Sequence, residues 1–282
     1  MRLAALLAAS LAGCSHVPAA PARASFVDHV SGQGRPVIFI PDLGAPADVW
    51  QGTVEHLSGR VEAHVLDVAG FAGNAPVAGP LLPRLKTELA AYVKERRLDR
   101  PVVVGHLFGA AVAYWLAMTE PDLLGGVIAI DAPPSRSTGD AEEAAEARAG
   151  AKALAEAAPE RFAQMLARRL ATSMADPARA AEIGRKLTRS DQAVISEAFL
   201  DMMTRDLREA TPSIRVPVLV VLTTGNLPAD AAPEVERAFR EQLAPLASQE
   251  VVVVPGSRHY VMFDAPQAFF ENLDRFLAKT AR

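Results

Sequence analysis

Between residues 101 and 118 an apolar run of strand length, Pro101 to Val104, passes through Gly105-His106-Leu107-Phe108-Gly109 into a small, apolar, helix-length stretch, Phe108 to Met118. Glycines four apart, followed by Ala110 and Ala111, leave room for a sharp turn packed against neighbouring strands. The context is that of the G-x-S-x-G turn, whose central serine attacks a carbonyl once a hydrogen-bonded histidine takes its proton. The central residue here is Leu107. An alkyl side chain offers neither proton nor lone pair, so the turn lacks the atom that acyl transfer requires.

The elements around this turn alternate. Pro36 to Ile40 reads as a buried strand, Ala47 to Leu57 as a helix, Val61 to Asp67 as a strand and Leu81 to Arg97 as a longer helix. Gly126 to Asp131 gives the strand after the turn. Pro133-Pro134 then breaks the alternation, and residues 135–210 are Ala-, Glu- and Arg-rich with helical period and no strand candidate. Alternation resumes with Val216 to Thr223 as strand, Pro233 to Leu243 as helix, Glu250 to Val254 as strand and Pro266 to Ala278 as the closing helix. Strand-length apolar runs alternating with amphipathic stretches predict a parallel sheet with crossover helices, interrupted by a helical insertion. The insertion's apolar positions, Phe162, Met165 and Met202 among them, are expected to pack mainly on one another and on the sheet.

Taken with that element order, the turn resembles the nucleophile elbow of the α/β-hydrolase fold family, and the resemblance runs from about Phe26 to the C-terminus. It implies an α/β fold: a mostly parallel, doubly wound sheet with a helical cap, the core formed by residues 26–134 and 211–282 and the cap by 135–210. It also implies roles. Gly256-Ser257-Arg258-His259 looks like the family's catalytic histidine loop, which makes His259 the base. The acid partner is Asp131, at the end of the strand from Gly126, or the position of Asn226 after the next strand, where an amide cannot carry the charge. The oxyanion donors would be the backbone amides of Phe108 and Leu43. Asp42 stands where related turns usually have glycine. A carboxylate beside an oxyanion pocket opposes the developing negative charge unless it points away or caps a backbone group.

Nothing else in the sequence announces chemistry. His16, His29, His56 and His64 show no metal-ligand spacing, and the acidic residues are scattered, so neither a metal nor another cofactor is expected. His106, beside the tip of the elbow, is expected to pack or hydrogen-bond locally. Gly70-Phe71-Ala72-Gly73 lacks the Lys and Ser/Thr of a phosphate loop. A net charge of −4, with 29 Lys and Arg against 33 Asp and Glu, argues against nucleic acid as a partner.

At the N-terminus, Met1-Arg2 precedes an apolar stretch, Leu3 to Ala12, that is too short to span a bilayer. It ends in Leu11-Ala12-Gly13-Cys14, which resembles the lipobox of bacterial lipoproteins, where the cysteine is lipidated and becomes the new N-terminus. That reading makes residues 1–13 a signal peptide and residues 14–25 a Pro-, Ala- and Ser-containing tether. The other reading is a secretory signal cut at Ala22-Arg23-Ala24. Both place the protein in a bacterial cell envelope, lipid-anchored in the first and periplasmic in the second, with the membrane as a partner only through the lipid.

Three functions compete at this stage. In the first, the protein is a degenerate hydrolase that binds a small apolar or acyl ligand without turning it over. In the second, a His259 and Asp131 dyad acts as a base with no covalent nucleophile. The third recruits Ser135, Ser137 or Ser257 as a displaced nucleophile. The elbow itself is expected to be either relaxed or strained and held by the packing of Gly105 and Gly109.

Overall fold

The computed structural model describes residues 23–280. The signal segment and Cys14 lie outside the described residues. The central sheet has seven strands: β1 (Phe26–Gly32), β2 (Arg35–Ile40), β3 (Val61–Val68), β4 (Val102–His106), β5 (Gly126–Ile130), β6 (Val218–Thr223) and β7 (Gln249–Val254). Their spatial order is β1-β3-β2-β4-β5-β6-β7; β1 runs antiparallel to β3 and every other pairing is parallel. Strands covered on both faces read as continuous apolar runs, and three adjacent interior strands do so. Every residue of β4, β5 and β6 is buried.

The helices are α1 (Gln51–His56), α2 (Leu81–Glu95), α3 (Phe108–Thr119), α4 (Ala141–Glu156), α5 (Pro159–Ser173), α6 (Pro177–Leu187), α7 (Gln192–Thr204), α8 (Ala232–Leu243), the single turn α9 (Val261–Asp264) and α10 (Pro266–Lys279). Helices α4 to α7 fill the stretch between β5 and β6. Their starts are written locally: Asp140, Asp176 and Asp191 each accept hydrogen bonds from amides of the first turn of α4, α6 and α7, and Pro159 and Pro177 open α5 and α6. Helix α5 turns Phe162, Leu166 and Leu170 inward. Helix α4 packs on α7, α5 on α6, and α7 reaches α2.

Four local expectations change. The first strand, β1, was not anticipated; it is a solvated edge with Val27 and Val30 exposed, so no apolar run marks it. Ser25, read as the end of a tether, is fully buried, and its amide and hydroxyl both donate to Glu88 of α2. The helix expected over Ala47 to Leu57 divides into a 3-10 turn, Ala47–Trp50, and α1. Strand β4 extends to His106, so the elbow begins one residue before its tip.

The elbow keeps its strain. Leu107 has φ 38° and ψ −85°, a backbone region that costs a non-glycine residue on the order of 1–3 kcal/mol. Close packing holds it there. A Cβ on Gly105 would lie 2.3 Å from the Ala110 nitrogen, and one on Gly109 would lie 2.3 Å from the Ile40 carbonyl oxygen. Backbone bonds add to the glycines: the Leu107 amide donates to the Ile130 carbonyl at 3.0 Å, and the Leu107 carbonyl accepts from Ala111 at 3.0 Å. We expect Gly109→Ala to lower stability by about 3 kcal/mol, since the contact is with backbone that has no room to yield. Chemical denaturation checks this, and a loss below about 1 kcal/mol would show that the turn is not held by this approach.

Candidate active site

Helix α3 starts at the elbow and β5 lies beside it, so Leu107 and Asp131 arrive together at the C-terminal ends of adjacent strands. Leu107 is buried and lines a cleft of about 260 Å³ with Asp131 and His259. His259 sits in the loop after β7. Its Nδ1 donates to Asp131 Oδ2 at 2.8 Å. Asp131 is further held by the Thr223 amide at 2.6 Å and the Thr223 hydroxyl at 2.5 Å. Asn226, the alternative acid position, lines the same cleft but has no hydrogen bond to His259.

The serine alternatives lie elsewhere. The Ser135 hydroxyl donates to the Ser137 carbonyl, the Ser137 hydroxyl accepts from the Gly139 amide, and the Ser257 hydroxyl donates to the Arg258 carbonyl. Among the described residues, no hydroxyl is bonded to His259.

A carboxylate takes the His259 Nε2 hydrogen bond that a nucleophile would otherwise take. Asp42, in the turn after β2, is 2% exposed. Its Oδ2 accepts from His259 Nε2 at 3.2 Å and from the Arg169 guanidinium of α5 at 3.1 Å, while its Oδ1 accepts from the Leu43 amide at 2.6 Å. The expectation that Leu43 offers an oxyanion donor is thereby corrected: its N–H is engaged by its neighbour's side chain. Of the anticipated pair of donors, the Phe108 amide at the start of α3 remains.

Burial alone would raise the Asp42 carboxyl, but the Arg169 charge and the hydrogen bond and charge of His259 outweigh it and hold the group well below the usual carboxylate range. Burial alone would lower His259. Its hydrogen bonds to Asp131 and Asp42, with the charges of both, push it instead up to about 9. At neutral pH His259 is therefore an imidazolium donating from both ring nitrogens.

His106 packs against His259 with ring centroids 4.2 Å apart and against Tyr260 at 4.8 Å. It is fully buried, and neither ring nitrogen has a hydrogen-bond partner among the described residues. Burial, then the His259 charge, drive its protonation well below the ordinary histidine range. Asp42, His106 and His259 bring one ligand atom each within 4.8 Å of one another. Sequence spacing gave no hint of that convergence. A cation there would have to displace the Arg169 guanidinium from Asp42 and the Nε2 proton from His259, so the donor set does not fit a resident metal.

The cleft wall is apolar on one side. The apolar residues facing it, Leu107, Leu222, Leu227, Val235 and Phe239, come from the core and its closing loops rather than from the methionines of the cap. The cap contributes Arg169 and Ser173. Arg136, just beyond the Pro133-Pro134 break, completes the rim. Neither arginine was singled out from sequence; the one local signal was a charged residue following a double proline. A larger surface cleft of about 500 Å³, near His29, Gln51 and Lys186, contains none of these groups.

A mostly parallel sheet with an elbow between strand and helix, and a late histidine paired to a carboxylate at the adjoining strand end, define the hydrolase class of α/β protein. Residues 37–272 match the Alpha/beta hydrolase family, and the chain belongs to it. Over 264 residues the chain is 26% identical to a pimeloyl-[acyl-carrier protein] methyl ester esterase of Vibrio atlanticus, covering 89% of this chain and 97% of the relative. It is 27% identical over 253 residues to a 2-(acetamidomethylene)succinate hydrolase of Mesorhizobium japonicum, covering 87% and 89%. Among solved structures, a malate-bound thermophilic esterase from Thermogutta terrifontis superposes with a TM-score of 0.76 at 21% identity over 90% of this chain and 93% of its own. That structural likeness carries the fold alone.

Proposed function

We propose that this protein is a catalytically impaired member of the family that binds a small acyl or apolar ligand, and that it acts as a lipoprotein of a bacterial cell envelope anchored through Cys14. One observation carries the impairment: Asp42 occupies, from inside the protein, both the Leu43 amide and the His259 Nε2. Those are two of the groups that a triad hydrolase turns toward its substrate. Leu107 removes the nucleophile, and Asp42 engages what remains. The ligand class is supported by the core's apolar wall and by the relatives, whose names give an acyl methyl ester and a substituted succinate as their substrates.

Against the dyad alternative stands the state of His259. A general base needs a free lone pair on Nε2, and that nitrogen carries a proton shared with Asp42.

Fluorophosphonate labelling and a thermal-shift screen test the reading together. We expect no covalent adduct and a stabilising ligand among short acyl esters and fatty acids. Labelling at any serine, or turnover of those esters that vanishes in His259→Ala, would overturn it. Globomycin-type inhibition of lipoprotein processing, read as retention of the leader, tests the anchor. Leader removal that is unaffected both by the inhibitor and by Cys14→Ala would favour the secretory cut after Ala24 instead.

A further inference from the structure

Resting on that binding reading, we propose that the cleft beside Leu107 takes a monoanionic carboxylate with a short aliphatic tail, its carboxylate held by Arg136 and its tail laid against Leu107, Leu222 and Val235.

The charges at the site are unequal in number. Asp42 and Asp131 each carry a negative charge, and Arg169 and His259 answer them through bonds of 3.1 and 2.8 Å. Arg136 is the fifth charged group of this cluster, and it makes no hydrogen bond and no ion pair among the described residues. Arg136 is an exposed residue at the rim; desolvation by the neighbouring protein and the Arg169 charge pull its guanidinium below the usual arginine range, against the charges of Asp42 and Asp131. A guanidinium is a planar fork of donors matched to a carboxylate. At the mouth of the cleft, with no acidic side chain hydrogen-bonded to it among the described residues, this fork is free to meet an anion that enters beside Leu107.

The scaffold under Arg136 is rigid. Pro133, Pro134 and Ser135 are all buried, and the Ser135 hydroxyl is tied to the carbonyls of Ser137 and Arg205. The side chain is therefore presented from a fixed base, which reduces the ordering cost of binding.

The same arithmetic selects the ligand's charge. The cluster sums to one excess positive charge at neutral pH, which a monoanion neutralises. A cation would meet Arg136, Arg169 and His259 together, and a dianion such as a phosphate monoester would leave the site negative beside Asp131. Both Asp131 oxygens are already engaged, by the Thr223 amide and by the Thr223 hydroxyl with His259. A carboxylate therefore belongs at the Arg136 end of the cleft, with the tail running along the apolar wall.

Isothermal titration of the protein with hexanoate, methyl hexanoate and hexyl phosphate tests this. Hexanoate is expected to bind at least about tenfold more tightly than its methyl ester, in line with a charged hydrogen-bonded contact. Arg136→Met should remove most of that preference and leave methyl hexanoate within about twofold of its original affinity. Arg136→Lys should keep part of it, because a point charge replaces the fork. Because Arg136 has no partner to lose, the melting temperature of Arg136→Met should match that of the unsubstituted protein. Equal binding of acid and ester, or no effect of Arg136→Met, would overturn the carboxylate assignment while leaving the binding function intact. Preference for hexyl phosphate would also overturn it. Hydrolysis of methyl hexanoate without accumulation of a complex would remove the binding reading itself.

Discussion

Serine placed at position 107 by itself is expected to leave the protein without esterase activity, while Leu107→Ser combined with Asp42→Gly is expected to gain it. A triad nucleophile is worth about 10⁶ in turnover, so restoring the hydroxyl would ordinarily dominate any other change. It cannot do so here, because the serine would meet an imidazolium whose Nε2 proton is already donated to Asp42 Oδ2 at 3.2 Å. The oxyanion formed on attack would find the Leu43 amide occupied at 2.6 Å and a buried carboxylate facing it. Losing a single oxyanion donor costs about 10²–10³, and an adjacent fixed negative charge adds to that.

Removing Asp42 frees the amide and takes away one of the two carboxylates that hold the histidine protonated. Arg169, whose side chain is 41% exposed, can then turn to solvent. The double variant should hydrolyse a short p-nitrophenyl ester at least about 100-fold faster than Leu107→Ser, and the single variant should stay within about tenfold of the unsubstituted protein. Equal rates for the single and double variants would show that Asp42 does not block the site.

The second large effect concerns stability against pH. His259 is held at about 9 in the fold, above the ordinary value of 6.5 that applies when the chain unfolds. A group raised in the folded state stabilises fully below its unfolded value and loses that contribution as pH climbs through the folded one. The loss therefore falls between about pH 6.5 and 9 and amounts to about 3 kcal/mol. Asp42 works in the other direction. Its depressed carboxyl contributes above the ordinary carboxylate range and is lost only as the solution becomes strongly acid.

The two contributions are complete together in mildly acidic solution, where stability should be greatest. The groups facing His259 are Asp42, Asp131, His106 and, through Asp42, Arg169. We expect the midpoint of denaturation to fall from pH 6.5 to pH 9, and His259→Gln, which keeps a polar side chain without the charge, to flatten that decline. Parallel profiles for the two proteins would mean that the buried imidazolium is not the group being titrated.

Several elements were legible in the chain because they are written in neighbouring residues. The valines of β4, the close-packed glycines of the elbow and the helical period of the cap all act over short stretches. The weak element was β1. Its single buried residue, Phe26, leaves no apolar pattern, and its pairing with β3 becomes visible only in the sheet.

Read alone, the sequence determined the fold family, the place of the elbow and the absence of a nucleophile at its tip, since a turn and the residue it displays are properties of contiguous chain. Tertiary structure decided the rest of the site. Asp131 rather than Asn226 meets His259, Asp42 reaches His259 across 217 residues, and Arg169 reaches Asp42 across 127. None of those pairings has a local signature. A carboxylate's role depends on which cation it is buried against, and only the folded sheet and its cap bring the two together.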